Sequence, residues 1–290
     1  MGRYTLVELE KLSGILAHTI RVWERRYDIL KPQRTDTNRR WYDDDDLRRL
    51  INISTLYHAG TKISRIAGLS NSELEKMAVL QEKDTSAYDV QINSLVVAML
   101  SFNESAVNEV LLRSVINIGF EETITGIVFP FLKRVGFLWQ TGSVTAGTEH
   151  FVTNLLRNRL ISSIDSIPPA NRPDRKRFML FLPENELHEL GLLFYAYLIR
   201  SAGHDILYLG QSTPFHSLVE ASEKWHPDFL VTGALSQLAV PEPDDYLSRL
   251  GNAFQTRKIL VSGSLAGAAA KAGFPNIYQV SSVFDLKMHL

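Results

Sequence analysis

From residue 177 onward, short apolar runs alternate with helical stretches, and this alternation constrains the fold more than any other feature of the chain. Strand-like runs occupy residues 177–182, 205–209, 229–232, 258–261 and 276–280, and helical patterns fill residues 192–201, 215–224, 244–254, 265–272 and 283–290. A strand followed repeatedly by a helix specifies βαβ units and a parallel sheet. Ligands of such sheets bind beyond the carboxyl ends of the strands. The loops to inspect are therefore residues 183–191, 210–214, 233–240 and 262–265.

A different texture precedes this region. Residues 166–176 read SIPPANRPDRK, whose three prolines and charge cluster mark a linker. Residues 88–165 are apolar at helical spacing, as in Ile92, Leu95, Val96, Met99 and Leu100, then Leu111, Leu112, Val115 and Ile116. Several helices without intervening strands predict a bundle. With 290 residues the chain has room for two or three domains.

Composition removes several kinds of chemistry. There is no cysteine, so disulfides, thiolate zinc sites, iron–sulfur clusters and cysteine nucleophiles are excluded. Hydrophobic residues make up 45% and charged residues 22%, which is ordinary globular usage. No apolar run reaches the ~18 residues that span a bilayer. The opening MGRYTLVELEKL lacks the apolar core of a secretion signal, so the expectation is a soluble, cytoplasmic protein with no membrane contact. No G-x-S-x-G elbow, phosphate loop or H-E-x-x-H pair is present, and the expectation is a protein that is not an enzyme.

The net charge of −1 hides an asymmetry. Residues 1–42 carry nine Lys/Arg against five Asp/Glu, and the remainder of the chain is acidic. Thr5 followed by Glu8 is a capping-box start, and Ser13–Gly14 closes that first short helix. A second helix, residues 17–27, has Ile20 and Trp23 as core candidates and carries His18, Thr19, Arg21, Arg25 and Arg26. Two short helices with glycine in the tight turn fit a helix-turn-helix, whose second helix enters the major groove. A short polar hairpin follows with Arg34, Asn38, Arg39 and Arg40. It ends in Trp41–Tyr42, and four aspartates then open another helix at its positive end. Trp23, Trp41 and Tyr42 are expected to pack as core.

The segments YTLVELEKLSG, TIRVWERRY, LKPQRTDTNRRWYDDDDLRRL and IAGLS together resemble the MerR-type winged-helix head over about the first 70 residues. The resemblance implies dimeric binding to operator double-stranded DNA.

After the first strand the loop reads FLPENELHELG, in which Glu186, His188 and Gly191 form E-x-H-x-x-G. Imidazole suits cobalt-class ions, and its second nitrogen needs an acceptor that Glu186 can supply. Ser236 and Leu238 form S-x-L after the third strand, and Ser262–Gly263–Ser264 follows the fourth. Together these motifs resemble the cobalamin-binding domain family. The resemblance implies His188 as lower cobalt ligand in place of the cofactor's own benzimidazole. It also implies that Ser236 touches the displaced nucleotide tail and that the small residues at 262–264 leave room for it. The family usually has two glycines at that last site and often Asp at the first.

In the bundle, FLWQTGSVTAGTEHF holds Trp139, then nine residues, then Glu149–His150. This W-x9-E-H pattern resembles the helical cap of the adenosylcobalamin-dependent photoreceptor repressors, the CarH/LitR family. The implied architecture is multidomain, α and α/β: a winged helix-turn-helix head over 1–75, a four-helix bundle over 82–168 and a Rossmann-like cobalamin-binding domain over 176–290. The implied roles are Trp139 and Glu149 over the adenosyl group, with Glu186, His188, Gly191, Ser236, Leu238 and Gly263 beneath the corrin. The implied activity is repression by a homo-oligomer, dimer or tetramer, that releases DNA when light breaks the cobalt–carbon bond. Photoreceptors of this kind carry histidine directly after the tryptophan, whereas this chain has Gln140, a poorer cobalt ligand, with His150 as the nearby imidazole. A light-insensitive cobalamin sensor and a corrinoid methyl carrier are the alternatives, and the DNA-binding head argues against the second.

Overall fold

A computed structural model describes residues 4–34, 40–58, 60–74, 77, 88–140, 144–169, 172–235 and 239–290. The chain forms two compact units, Met1–Leu155 and Leu156–Leu290.

The first unit opens with α1 (Leu6–Ser13) and α2 (Ala17–Tyr27). Thr5 and Glu8 close a capping box, and Gly14 ends α1 in the left-handed region at φ 72°. Glu10 on α1 accepts the Ala17 amide at 3.0 Å, so one helix caps the next across the turn. Strands β1 (Gln33–Arg34) and β2 (Arg40–Trp41) pair antiparallel with Arg34 opposite Arg40, which makes the wing. Helix α3 (Asp44–His58) starts on the Asp43 carboxylate, which accepts the Asp45 and Asp46 amides at 2.9 Å each. A short α4 (Ile63–Ile66) follows.

Tyr4 and Tyr42 exchange backbone hydrogen bonds at 2.8 and 2.9 Å and are fully buried, which ties the start of the chain to the base of the wing. Trp23 is core and meets the Tyr57 ring edge-on at 4.8 Å. Trp41, expected in the core, is only half-buried because the two-residue strand leaves one of its faces uncovered.

The same unit contains α5 (Tyr88–Leu100), α6 (Glu104–Ile118) and a helical run built from α7 (Phe120–Glu122), a π-helical turn (Thr123–Val128) and α8 (Phe129–Gln140). Helix α9 (Ala146–Asp165) completes the set, and the division between the two units falls inside it. Along α6 the buried positions are Val107, Val110, Leu111 and Ser114. Leu112 and Ile116, expected to continue the apolar pattern, are exposed. They lie on the face opposite that stripe, roughly 150–170° round the helix. Gly126 in the π-turn packs against Tyr88, since a Cβ there would lie 2.7 Å from the ring.

The second unit is a five-stranded parallel sheet of β3 (Arg177–Phe181), β4 (Asp205–Gly210), β5 (Phe229–Ala234), β6 (Lys258–Gly263) and β7 (Ile277–Val280), in the order β4-β3-β5-β6-β7. Its connections are α10 (Leu190–Ser201), α11 (Phe215–Trp225), α12 (Pro243–Ala253) and α13 (Ala266–Ala272), with α14 (Val283–Lys287) at the end. Met179, Phe181, Leu230, Ile259 and Val261 fill the core against Leu218, Leu247 and Leu250. Because β4 lies on one side of β3 and β5 on the other, the winding direction reverses there. This opens a crevice between the carboxyl ends of β3 and β5.

Gly263 closes β6 at φ +67°, and a Cβ there would lie well inside contact distance of the Ala234 carbonyl oxygen. Replacing Gly263 with Ala should therefore cost about 1–3 kcal/mol of stability in urea unfolding. Replacing Gly267, where a Cβ meets nothing, should leave stability near wild type.

Candidate functional site

The loop after β3 enters the crevice, and Glu186 is its fixed point. Its side chain is buried. Oε1 accepts from the His188 amide at 2.9 Å and pairs with His188 Nδ1 at 2.6 Å, and Oε2 accepts the Leu235 amide at 2.8 Å. Leu235 directly follows β5, so one carboxylate joins the loops on both sides of the crevice. A carboxylate only accepts, so Nδ1 carries the proton and the lone pair stands on Nε2. The imidazole is 57% exposed, which leaves Nε2 available to a ligand.

Further bonds fix the loop. The Asn185 amide donates to Ser212 Oγ at 3.1 Å, and Gln211 Nε2 donates to the Leu187 carbonyl at 2.6 Å. Glu189, next to the histidine, is buried. It accepts Arg157 Nε from α9 at 2.5 Å and the Tyr208 hydroxyl from β4 at 2.8 Å. The phenol is pushed well above its ordinary range, first by burial and then by this hydrogen bond. Glu189, Arg157 and Tyr208 escape sequence reasoning because their partners lie 32 and 19 residues away. The one available signal was a second carboxylate beside the histidine in E-x-H-E.

Gly191 lies in the first turn of α10, with open space where a Cβ would project. Gly263 is required by the approach of β6 to β5, as described above. Ser262 Oγ donates to the Thr232 carbonyl at 3.3 Å. Ser236 and Leu238 lie outside the described residues. Thr232 Oγ1 and Tyr246 Oη are buried next to each other in this part of the sheet domain.

These residues fit a corrinoid. Among the described residues no group of three His, Cys, Asp or Glu could hold a metal ion. A corrin brings four equatorial nitrogens of its own and needs from the protein only the single oriented imidazole that His188 provides.

In the first unit Trp139 stands near the end of α8 with 56% of its surface exposed, so it is not a core tryptophan. Glu149 closes the first turn of α9 and His150 opens the second. Glu149 Oε1 accepts from Thr153 Oγ1 at 2.8 Å, and Oε2 stands 3.5 Å from His150 Nε2. His150 is exposed. Gln140 closes α8.

In the head, α2 presents His18, Arg21, Arg25 and Arg26 to solvent, with Thr19 half-buried and its hydroxyl 3.2 Å from His18 Nε2. Arg34 and Arg40 are exposed on the wing. Arg21, Arg25, Lys31 and Arg40 line an open groove between α2 and the wing, with Val22 and Pro32 among its apolar walls. Asn38 and Arg39 lie outside the described residues. Guanidinium groups spread over a recognition helix and a wing can read base edges and hold phosphates.

Residues 4–73 match the family model of MerR HTH family regulatory proteins, and residues 91–161 match that of the B12 binding domain. The chain thus joins a MerR-type DNA-binding head to a helical B12-binding domain and a Rossmann-like sheet domain. It is 29% identical over 249 residues to the HTH-type transcriptional repressor CarH of Myxococcus xanthus, covering 84% of this chain and 82% of that protein. It is 25% identical over 249 residues to the HTH-type transcriptional repressor CarA of the same organism, covering 85% and 81%. The monomethylamine corrinoid protein of Methanosarcina barkeri has the same fold over 67% of this chain and 93% of its own. The TM-score is 0.55 and the identity 16%. No helix among the described residues is long and apolar enough to cross a membrane.

Replacing Glu186 with Ala would strand the Leu235 amide and release His188. The expected result is a ~10–100-fold loss of cobalamin affinity by absorbance titration, as for other residues that orient a metal ligand. The apo protein should also lose about 1–3 kcal/mol of stability. Unchanged affinity would show that Glu186 does not orient the ligand.

Proposed function

We propose that this protein is a cobalamin-dependent transcriptional repressor that senses light through adenosylcobalamin. The observation that carries the reading is the His188 imidazole, fixed through Nδ1 by a buried carboxylate at the crevice of the sheet, in a chain that begins with a DNA-reading head. On this reading the chain has three functional modules, over residues 1–75, 82–168 and 176–290. It works in the cytoplasm as a homo-oligomer and catalyses no reaction.

His188 would offer Nε2 to the cobalt of a bound corrinoid, and Glu186 would keep its tautomer. Gly191, Gly263, Ser236 and Leu238 would hold the cofactor on the side of the sheet domain. Trp139, Glu149 and His150 would cover its adenosyl group. Adenosylcobalamin, when bound, supplies a cobalt–carbon bond that visible light breaks. Loss of the adenosyl group would leave Trp139, Glu149 and His150 without the group they would cover, and the oligomer that grips operator DNA would no longer be favoured. The cofactor can shift that equilibrium only by binding the two oligomeric states with different affinity. DNA contact falls to His18, Thr19, Arg21, Arg25 and Arg26 on α2, and to Arg34, Asn38, Arg39 and Arg40 on the wing.

Gln140 favours a second reading, a cobalamin sensor without a light response. An amide beside Trp139 is a poor replacement for an imidazole on cobalt. DNA affinity of the full chain separates the two. The protein is compared without cofactor, with adenosylcobalamin in the dark, and with adenosylcobalamin after green light. The target is the duplex that the protein enriches from a random pool. The photoreceptor reading expects dark holo protein to bind about tenfold or more tightly than the other two states. Equal affinity in dark and light, both differing from the apo protein, would leave only the second reading. Equal affinity in all three would contradict both.

A further inference from the structure

Arg134 lies on α8, five residues before Trp139, or about 7 Å along the same helix. Its side chain is four-fifths buried. One guanidinium nitrogen, Nη1, donates to Asn93 Oδ1 at 2.7 Å and to the Leu12 carbonyl at 3.3 Å, and Nη2 pairs with Asp89 at 3.1 Å. Asn93 is itself buried on α5. Leu12 belongs to the last turn of α1, where a helix carbonyl has no amide four residues on within the helix to satisfy it. A cation at a helix C-terminus is also favoured by the dipole. The same seam contains the packing of α3 against α5. A buried charge is costly unless its donors are met, and here the planar fork reaches three acceptors on two helices, α1 and α5.

We propose that Arg134 is a positioning residue for DNA binding: from the helix that carries Trp139 it holds the carbonyl end of the first head helix, so the setting of the recognition helix follows the setting of α8. This deepens the functional reading above and rests on it for the link to the cofactor. The cap tryptophan and the head anchor share one rigid helix, and α1 in turn caps α2 through Glu10. A change in α8 thus reaches α2 through two hydrogen-bonded steps. Arginine is required because lysine, a point donor on a flexible stem, cannot serve all three acceptors at fixed geometry.

The test uses the full chain with Arg134→Ala, Arg134→Lys and, as control, the exposed neighbour Lys133→Ala. Two properties are read. Hydrogen–deuterium exchange of peptides covering residues 9–20 should speed up about tenfold in both Arg134 variants, while exchange in the sheet domain stays at wild-type rates. The ratio of DNA affinities with and without adenosylcobalamin should fall to near one in those variants, although their cobalamin absorption spectra match wild type. Lys133→Ala should retain wild-type values throughout. Unchanged exchange in residues 9–20, or a retained cofactor ratio, would overturn the proposal. If wild-type DNA affinity itself ignores the cofactor, the functional reading fails, and the exchange experiment alone decides whether Arg134 positions the head.

Discussion

Burying a carboxylate is costly unless donors meet it, and three donors converge on Glu186. Two are backbone amides on opposite sides of the crevice and the third is the His188 ring. The carboxylate therefore closes the gap between the loops after β3 and β5 and sets the ring nitrogen that faces out. Remove it and the crevice loses its geometry together with its ligand. The Glu189–Arg157–Tyr208 cluster extends the same arrangement, since it anchors the residue after the histidine to α9 and to β4.

The sheet explains why this happens at that place. Reversal of winding between β3 and β5 leaves their carboxyl ends without a crossing connection between them, so the two loops can approach each other around a ligand. The head follows a separate logic. Its recognition helix is held by local caps, while its arginines stay in solvent where phosphates can reach them. Within the first unit, Arg134 joins α8 to the carbonyl end of α1.

Much of this was legible in the chain because the signals are local. The strands begin within a residue of their expected starts, since each is a run of apolar residues bounded by turn formers. The Thr5–Glu8 box and the Glu186–His188 pair are short-range motifs whose partners sit two or three positions apart. What sequence could not give was non-local. The partners of Glu189 come from elements far along the chain. Arg134 looks like one more charge on a helix until α1 is placed against it. Leu112 and Ile116 fit the helical period with each other yet fall on the face opposite the buried stripe. Gly263 looks like space left for a ligand, whereas its backbone angle and the Ala234 carbonyl already exclude a side chain.

The central claim is that His188 Nε2, oriented by Glu186, is the protein's ligand to cobalt. Electron paramagnetic resonance of the protein loaded with cob(II)alamin tests it directly, with histidine labelled by nitrogen-15 and the cofactor unlabelled. A lower ligand from the protein predicts that each cobalt line splits into a doublet. It also predicts that the doublet disappears when His188 is replaced by Ala. Triplet splitting that persists in the labelled protein would assign the lower position to the cofactor's own benzimidazole and contradict the account.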